Sequence, residues 1–219
     1  KTEDLYSCYS FKMNNYSLIM NMIVSNNTFK IIDFLIRNSE LYNINQIAKA
    51  LDLSVGSVHK ILKALEKRDI VDIKGLGNAI YYSINLNNNE AVKLSELVLI
   101  EGKNSILREN KTANIYAQDL AKFDAKLIIL FGSILTKKNE AKDVDVLFII
   151  KNKEQVKEIS NFCLGISRIR TKRVSPLIMS EQDFVNNLKD KNKAIRDLIK
   201  KCIILKGEEI FIRVIKNAH

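Results

Sequence analysis

Residues 127–150 read LIILFGSILTKKNEAKDVDVLFII, and the reading of this stretch decides the fold of the C-terminal half. An apolar run, 127–131, stops at Gly132-Ser133; after a spacer of nine residues Asp143 and Asp145 open a second apolar run, 146–150. Two short continuous apolar runs bounded by turn residues predict buried strands. Side chains alternate along a strand, so Asp143 and Asp145 share one face and Val144 takes the other. Two carboxylates on one face repel unless a cation sits between them. Magnesium suits that position, because it accepts carboxylate and phosphate oxygens and keeps several waters. The Gly132-Ser133 turn offers backbone N–H groups and a hydroxyl to a phosphate. The plainer alternative is a strand–turn–strand unit with two solvated aspartates at its end.

The register of strand, Gly132-Ser133, a spacer of nine and Asp143-x-Asp145 resembles the core of the DNA polymerase beta-like nucleotidyltransferase superfamily, in its minimal branch. The resemblance spans roughly residues 112–215. It implies a small mixed sheet with flanking helices. Gly132 and Ser133 would bind a nucleoside triphosphate, and Asp143 and Asp145 would be the catalytic carboxylates that hold Mg2+. The family usually adds a third carboxylate from a later strand. Here that strand reads Lys172-Arg173-Val174-Ser175-Pro176-Leu177-Ile178 and contains no acid. Glu181 and Asp183, just beyond it, suit the first turn of a helix better than a metal.

Upstream, residues 28–86 predict helix, helix, turn, helix and hairpin. Phe29, Ile32, Leu35 and Ile36 mark a first helix closing near Asn38–Ser39. Ile44 falls in an extended link, and Gln46 to Leu51 form a short second helix. After a turn at Asp52-Leu53, Ser54 is an N-cap for a third helix whose apolar stripe is Val55, Val58, Ile61, Leu62 and Leu65. Two β-rich runs, 70–73 and 80–84, flank a Gly75-Leu76-Gly77-Asn78 turn. The segment 47–71, IAKALDLSVGSVHKILKALEKRDIV, resembles the winged helix-turn-helix family of bacterial and archaeal regulators. In that family the third helix lies in the major groove of double-stranded DNA and the wing touches backbone. The resemblance puts Ser54, Gly56, Ser57, His59, Lys60 and Lys63 on the DNA side, with Lys74 and Asn78 on the wing. Protein docking is the other use of such a domain.

The predicted fold class is α+β, with a winged helix-turn-helix followed by a nucleotidyltransferase-like domain at 112–219. Residues 1–27 show no period and are expected to be peripheral or disordered, with Met13, Met20 or Met22 as alternative starts. Residues 87–111 are expected to be a helical linker, interrupted at Gly102-Lys103. Further helices are expected at 153–169 and 181–201.

The chain of 219 residues carries a net charge of +10, and the distribution is uneven: residues 162–219 hold thirteen basic and six acidic side chains. A polyanionic partner is the natural implication. Lys137, Lys138 and Lys142 could reach phosphates or form a solvated face. The run Arg168 to Arg173 could bind a polyanion or complement a helix C-terminus. Cys8, Cys163 and Cys202 are odd in number and far apart, which implies neither a disulfide framework nor a zinc cluster. No apolar stretch suits a membrane span, and a reduced, cytoplasmic setting is expected. Two functions follow. One is transfer of a nucleoside monophosphate to an unknown acceptor. The other is a non-catalytic, nucleotide-sensing transcription regulator or antitoxin-like DNA-binding protein. A homodimer and a small helical toxin are the protein partners these resemblances suggest.

Overall fold

A computed structural model describes residues 25–38 and 40–218. The expectations for 1–24 and for Ser39 lie outside the described residues. The fold is mixed α+β, and the described chain divides into two compact units: residues 25–35 with 40–85, and residues 36–38 with 86–218.

In the first unit, helix α1 (Asn26–Arg37) begins two residues earlier than its apolar period suggests. The cause is Ser25, whose Oγ accepts the Thr28 N–H at 3.2 Å. Tyr42–Asn43 (β1) pairs antiparallel with β3 (Ala79–Ile84), so the extended link lies one step earlier than Ile44. Ile44 already belongs to α2 (Ile44–Leu51), because Asn43 and Gln46 form a reciprocal capping box. Asp52, left-handed at φ 53°, ends α2, and Ser54 caps α3 (Val55–Glu66) by accepting the Ser57 N–H. Strand β2 (Val71–Leu76) pairs with β3 through Leu76↔Ala79, so the turn narrows from four residues to Gly77-Asn78. Ile31, Ile32, Leu35, Ile47, Val58, Leu62, Ile70 and Tyr82 fill the core. Each aliphatic side chain buried there contributes roughly 1.5–3 kcal/mol.

In the second unit, α4 (Asn89–Glu109) is one helix and runs through Gly102 and Lys103 without a break. Glycine costs a helix interior only about 1 kcal/mol. Packing of α4 against β7 (Cys202–Lys206) and α10 (Glu208–Ala218), with Lys103 paired to Glu208 at 2.7 Å, offsets that cost. The stretch 87–111 therefore lies inside the second unit. Asn110 ends α4, caps α5 (Lys111–Leu120) and donates from its amide to the Ile134 carbonyl at 2.8 Å.

Strand β4 (Leu127–Phe131), the single-turn α6 (Ser133–Thr136), a 3-10 turn (Lys138–Glu140), β5 (Asp143–Ile149), α7 (Gln155–Ile169), β6 (Arg173–Met179), α8 (Glu181–Lys189) and α9 (Lys193–Lys200) come between. The sheet order is β6-β5-β4-β7, with β5–β6 parallel and the other pairs antiparallel. The expected helix over 181–201 is two helices. Lys191 is left-handed at φ 54°, and Asn192 caps α9 through the N–H groups of Ala194 and Ile195. One sheet face buries Ile128, Leu130, Val144, Val146 and Phe148 against Tyr116, Leu120, Ile159 and Cys163. Pro176 sits in β6, an edge strand, where a missing N–H is tolerated.

Candidate functional site

Two regions carry the residues singled out above. The first is the outer face of α3 with the wing. Val58, Leu62 and Leu65 are buried, which turns Gly56, His59, Lys60 and Lys63 outward at spacings of three and four residues. Lys67, which the sequence also puts on the polar surface of this helix but not among the DNA-facing positions, continues the same exposed stripe. Ser57 is half-buried. Ser54 is exposed, but its hydroxyl is committed to capping. Lys63 pairs with Glu66 at 2.8 Å, and this hydrogen-bonded carboxylate holds the ammonium above its usual range. Lys60 and Lys74 make no ion pair among the described residues. Lys74 and Asn78 are exposed on the hairpin, where Ile73, Leu76 and Ile80 also face outward.

The second region is one end of the four-stranded sheet. Val144 points into the core and is fully buried, so Asp143 and Asp145 take the opposite face, both half-buried. Gly132 is left-handed at φ 81°, and a Cβ there would lie 2.2 Å from Asp145 Oδ2. The glycine thus lets the turn close onto the carboxylate. Burial raises the Asp145 carboxyl above its usual range, and neighbouring Asp143 pushes it further the same way. Ser133 opens α6, half-buried beside the turn. Asp143 and Asp145 form no ion pair among the described residues.

The parallel pairing with β6 sets Ser175 beside Asp145 and Arg173 beside Asp143. Directly paired residues share a face, so a hydroxyl and a guanidinium occupy the places from which a neighbouring strand could add a third carboxylate. Among the described residues, no set of three or more His, Cys, Asp and Glu side chains is grouped as a metal cage. Two carboxylates suit an ion that brings its own waters and ligand oxygens, as magnesium does.

Lys137, Lys138 and Lys142 are exposed on the spacer. The basic run after α7 divides by role. Arg170 pairs with Asp119 at 2.8 Å, and that hydrogen bond, with help from Lys122, holds the Asp119 carboxyl below its usual range. Lys172 Nζ donates to the carbonyls of Asn139 and Ala141 at 2.7 and 2.6 Å, tying down the spacer. Of this run, Arg168 and Arg173 make neither an ion pair nor a side-chain hydrogen bond among the described residues, and Lys172 is held by carbonyls alone.

No helix of the described residues is long and apolar enough to cross a membrane. Residues 25–72 match the family profile of winged helix-turn-helix DNA-binding domains. No curated protein matches the chain at a significant level. Among solved structures, the adhesin competence repressor AdcR of Streptococcus pyogenes is 20% identical, covering 54% of this chain and 84% of its own, with TM-score 0.34. MepR, a transcription regulator of the Staphylococcus aureus multidrug efflux pump MepA, is 14% identical over 78% of this chain and 99% of its own, with TM-score 0.34. A MepR–DNA complex is 18% identical over 54% of this chain and 94% of its own, with TM-score 0.34. At such scores these likenesses carry no argument. The profile match and the helix order agree: the N-terminal end of this chain carries a winged helix-turn-helix domain of the DNA-binding kind.

Proposed function

We propose that this protein is a DNA-binding transcription regulator whose second unit senses a nucleoside triphosphate with magnesium and does not transfer it. The observation that carries this reading is the pairing of Asp143 with Arg173 and of Asp145 with Ser175. Metal-assisted transfer needs charge neutralisation on the phosphates together with activation of an acceptor hydroxyl. Two carboxylates can supply the first. A guanidinium and a hydroxyl beside them favour holding an anion and offer no base for the second.

In this reading Asp143 and Asp145 would hold the ion, which neutralises phosphate charge when bound. Gly132 lets the backbone approach the phosphates, and the Ser133 hydroxyl hydrogen-bonds them. Arg173 adds a fixed positive charge on the same face. In the same reading Gly56, Ser57, His59, Lys60 and Lys63 would face base edges and phosphates of a duplex, with Lys74 and Asn78 on the adjoining backbone.

Titration calorimetry with ATP and other triphosphates, with and without magnesium, tests the sensor. Magnesium-dependent binding that is lost in Asp145→Ala, with no label transferred to any acceptor, is expected. Label transfer that disappears in Asp143→Ala and Asp145→Ala would overturn it and establish nucleotidyl transfer. The close packing of Gly132 on Asp145 keeps that second reading in play. Duplex binding is expected to weaken steeply with salt. Replacing Lys60, Lys63 and Lys74 by Gln should reduce the salt slope by up to about three. An unchanged slope would remove α3 and the wing from the interface.

A further inference from the structure

The opposite end of the same sheet holds a cavity of about 720 Å³, lined by Lys126, Lys151, Lys153, Ser180, Glu181 and Lys189 among others. It opens where the parallel strands β5 and β6 end, about 16 Å along β5 from Asp145 at five strand steps. Its volume falls in the range of small-molecule sites, and neither the DNA face nor the Gly132–Asp145 turn contributes to its lining.

Charge in and around this cavity is unbalanced. Glu181 accepts from Arg213 at 2.8 Å and from Lys126 at 3.3 Å. Asp124 binds both Lys151 and Lys206, the latter at 3.1 Å. Each carboxylate is therefore shared by two cations. Burial works to raise the Glu181 carboxyl, yet Arg213 and Lys126 hold it below its usual range. Lys153 and Lys189 are exposed and make no ion pair among the described residues. Six cations thus surround three carboxylates: Glu181 and Asp124, each doubly engaged, and Asp183, which is hydrogen-bonded to Ser180. Lysine ammonium groups serve as point-charge ligands for phosphate. The first turn of α8, at Glu181 and Gln182, borders the cavity, with its N-terminal end already met by the Ser180–Asp183 capping box.

We propose that this cavity is a second ligand site, which binds a small polyphosphate anion without a metal ion and independently of the Gly132–Asp145 end. Lys153 and Lys189 are the principal contacts, and the Lys126–Glu181–Arg213 and Lys151–Asp124–Lys206 groups form its rim.

Calorimetry on the full chain in EDTA, with sodium pyrophosphate and with ATP as probes, tests the proposal. Both probes are expected to bind wild type and Asp143→Asn/Asp145→Asn equally. Lys153→Gln/Lys189→Gln should weaken both at least tenfold with an unchanged Tm. Equal affinity for the two probes would mean that phosphates alone are read, and tighter ATP binding that the base also docks; either outcome supports the site. Absence of pyrophosphate binding at millimolar concentration overturns it. So does binding that survives Lys153→Gln/Lys189→Gln or disappears in Asp143→Asn/Asp145→Asn. Duplex DNA binding that depends on Lys153 and Lys189 without pyrophosphate binding would reassign the cavity to a nucleic-acid backbone.

Discussion

The two ends of strand β4 are each closed by a left-handed glycine, and the two glycines press on different things. At Gly207, φ 87°, a Cβ would lie 2.3 Å from the Lys126 carbonyl oxygen and 3.1 Å from the Leu127 Cα, both backbone. At Gly132, φ 81°, the nearest atoms belong to the Asp145 side chain. Backbone at a strand start cannot move without disturbing the sheet, whereas a carboxylate can rotate away. The difference separates a glycine needed for folding from one needed for a site, although their φ values are nearly the same.

The largest effect that can break this distinction is Gly207→Ala. It should cost about 2–4 kcal/mol of stability through backbone collision and positive φ together, read as a lower midpoint in urea unfolding. Gly132→Ala should cost less, about 1–2 kcal/mol for the backbone alone. It should nonetheless abolish magnesium-dependent triphosphate binding, because Asp145 must leave its place. Equal losses of stability in the two variants would show that both glycines are structural.

Asp145→Asn sharpens the same contrast through pH. The folded-state carboxyl is raised, so its contribution to stability is fully present below the unfolded carboxylate range and is lost as pH rises through the folded value. Asp145→Asn in EDTA should therefore raise Tm at neutral pH, and the gain should shrink as pH falls below the ordinary carboxylate range. A gain that grows on acidification would contradict the burial and repulsion assigned to this group.

The smallest effect concerns Cys163, whose buried thiol is pushed up to about 12 by burial. Site-resolved labelling with a thiol reagent at neutral pH should be slow in wild type and in Gly132→Ala. Faster labelling is expected in Gly207→Ala, where opening is more frequent. Fast labelling in the wild type would place Cys163 outside the core.

Periodicity and caps made much of the winged unit readable. Val58, Leu62 and Leu65 sit on one stripe, and Ser54 caps α3 as its residue type suggests. What stayed hidden depends on partners distant in sequence. Gly102 looks like a helix stop locally, and only packing against β7 and α10 shows why α4 continues. The break at Lys191-Asn192 is masked because the apolar stripe resumes in phase with polar, helix-tolerant residues between. In the second unit, the alternation of Asp143, Val144 and Asp145 gives the face but not the neighbours. Arg173 and Ser175 are identified only by the register of β5 with β6. The lysine-lined cavity draws on several separated segments, so no single stretch announces it.

Pro176 has a consequence for assembly. An open sheet edge invites a strand from another molecule, and a proline there leaves one rung of any such ladder without a donor. Two copies joined edge to edge through β6 would have a gap in the middle of their shared sheet. The strand thus resists edge-to-edge pairing through β6.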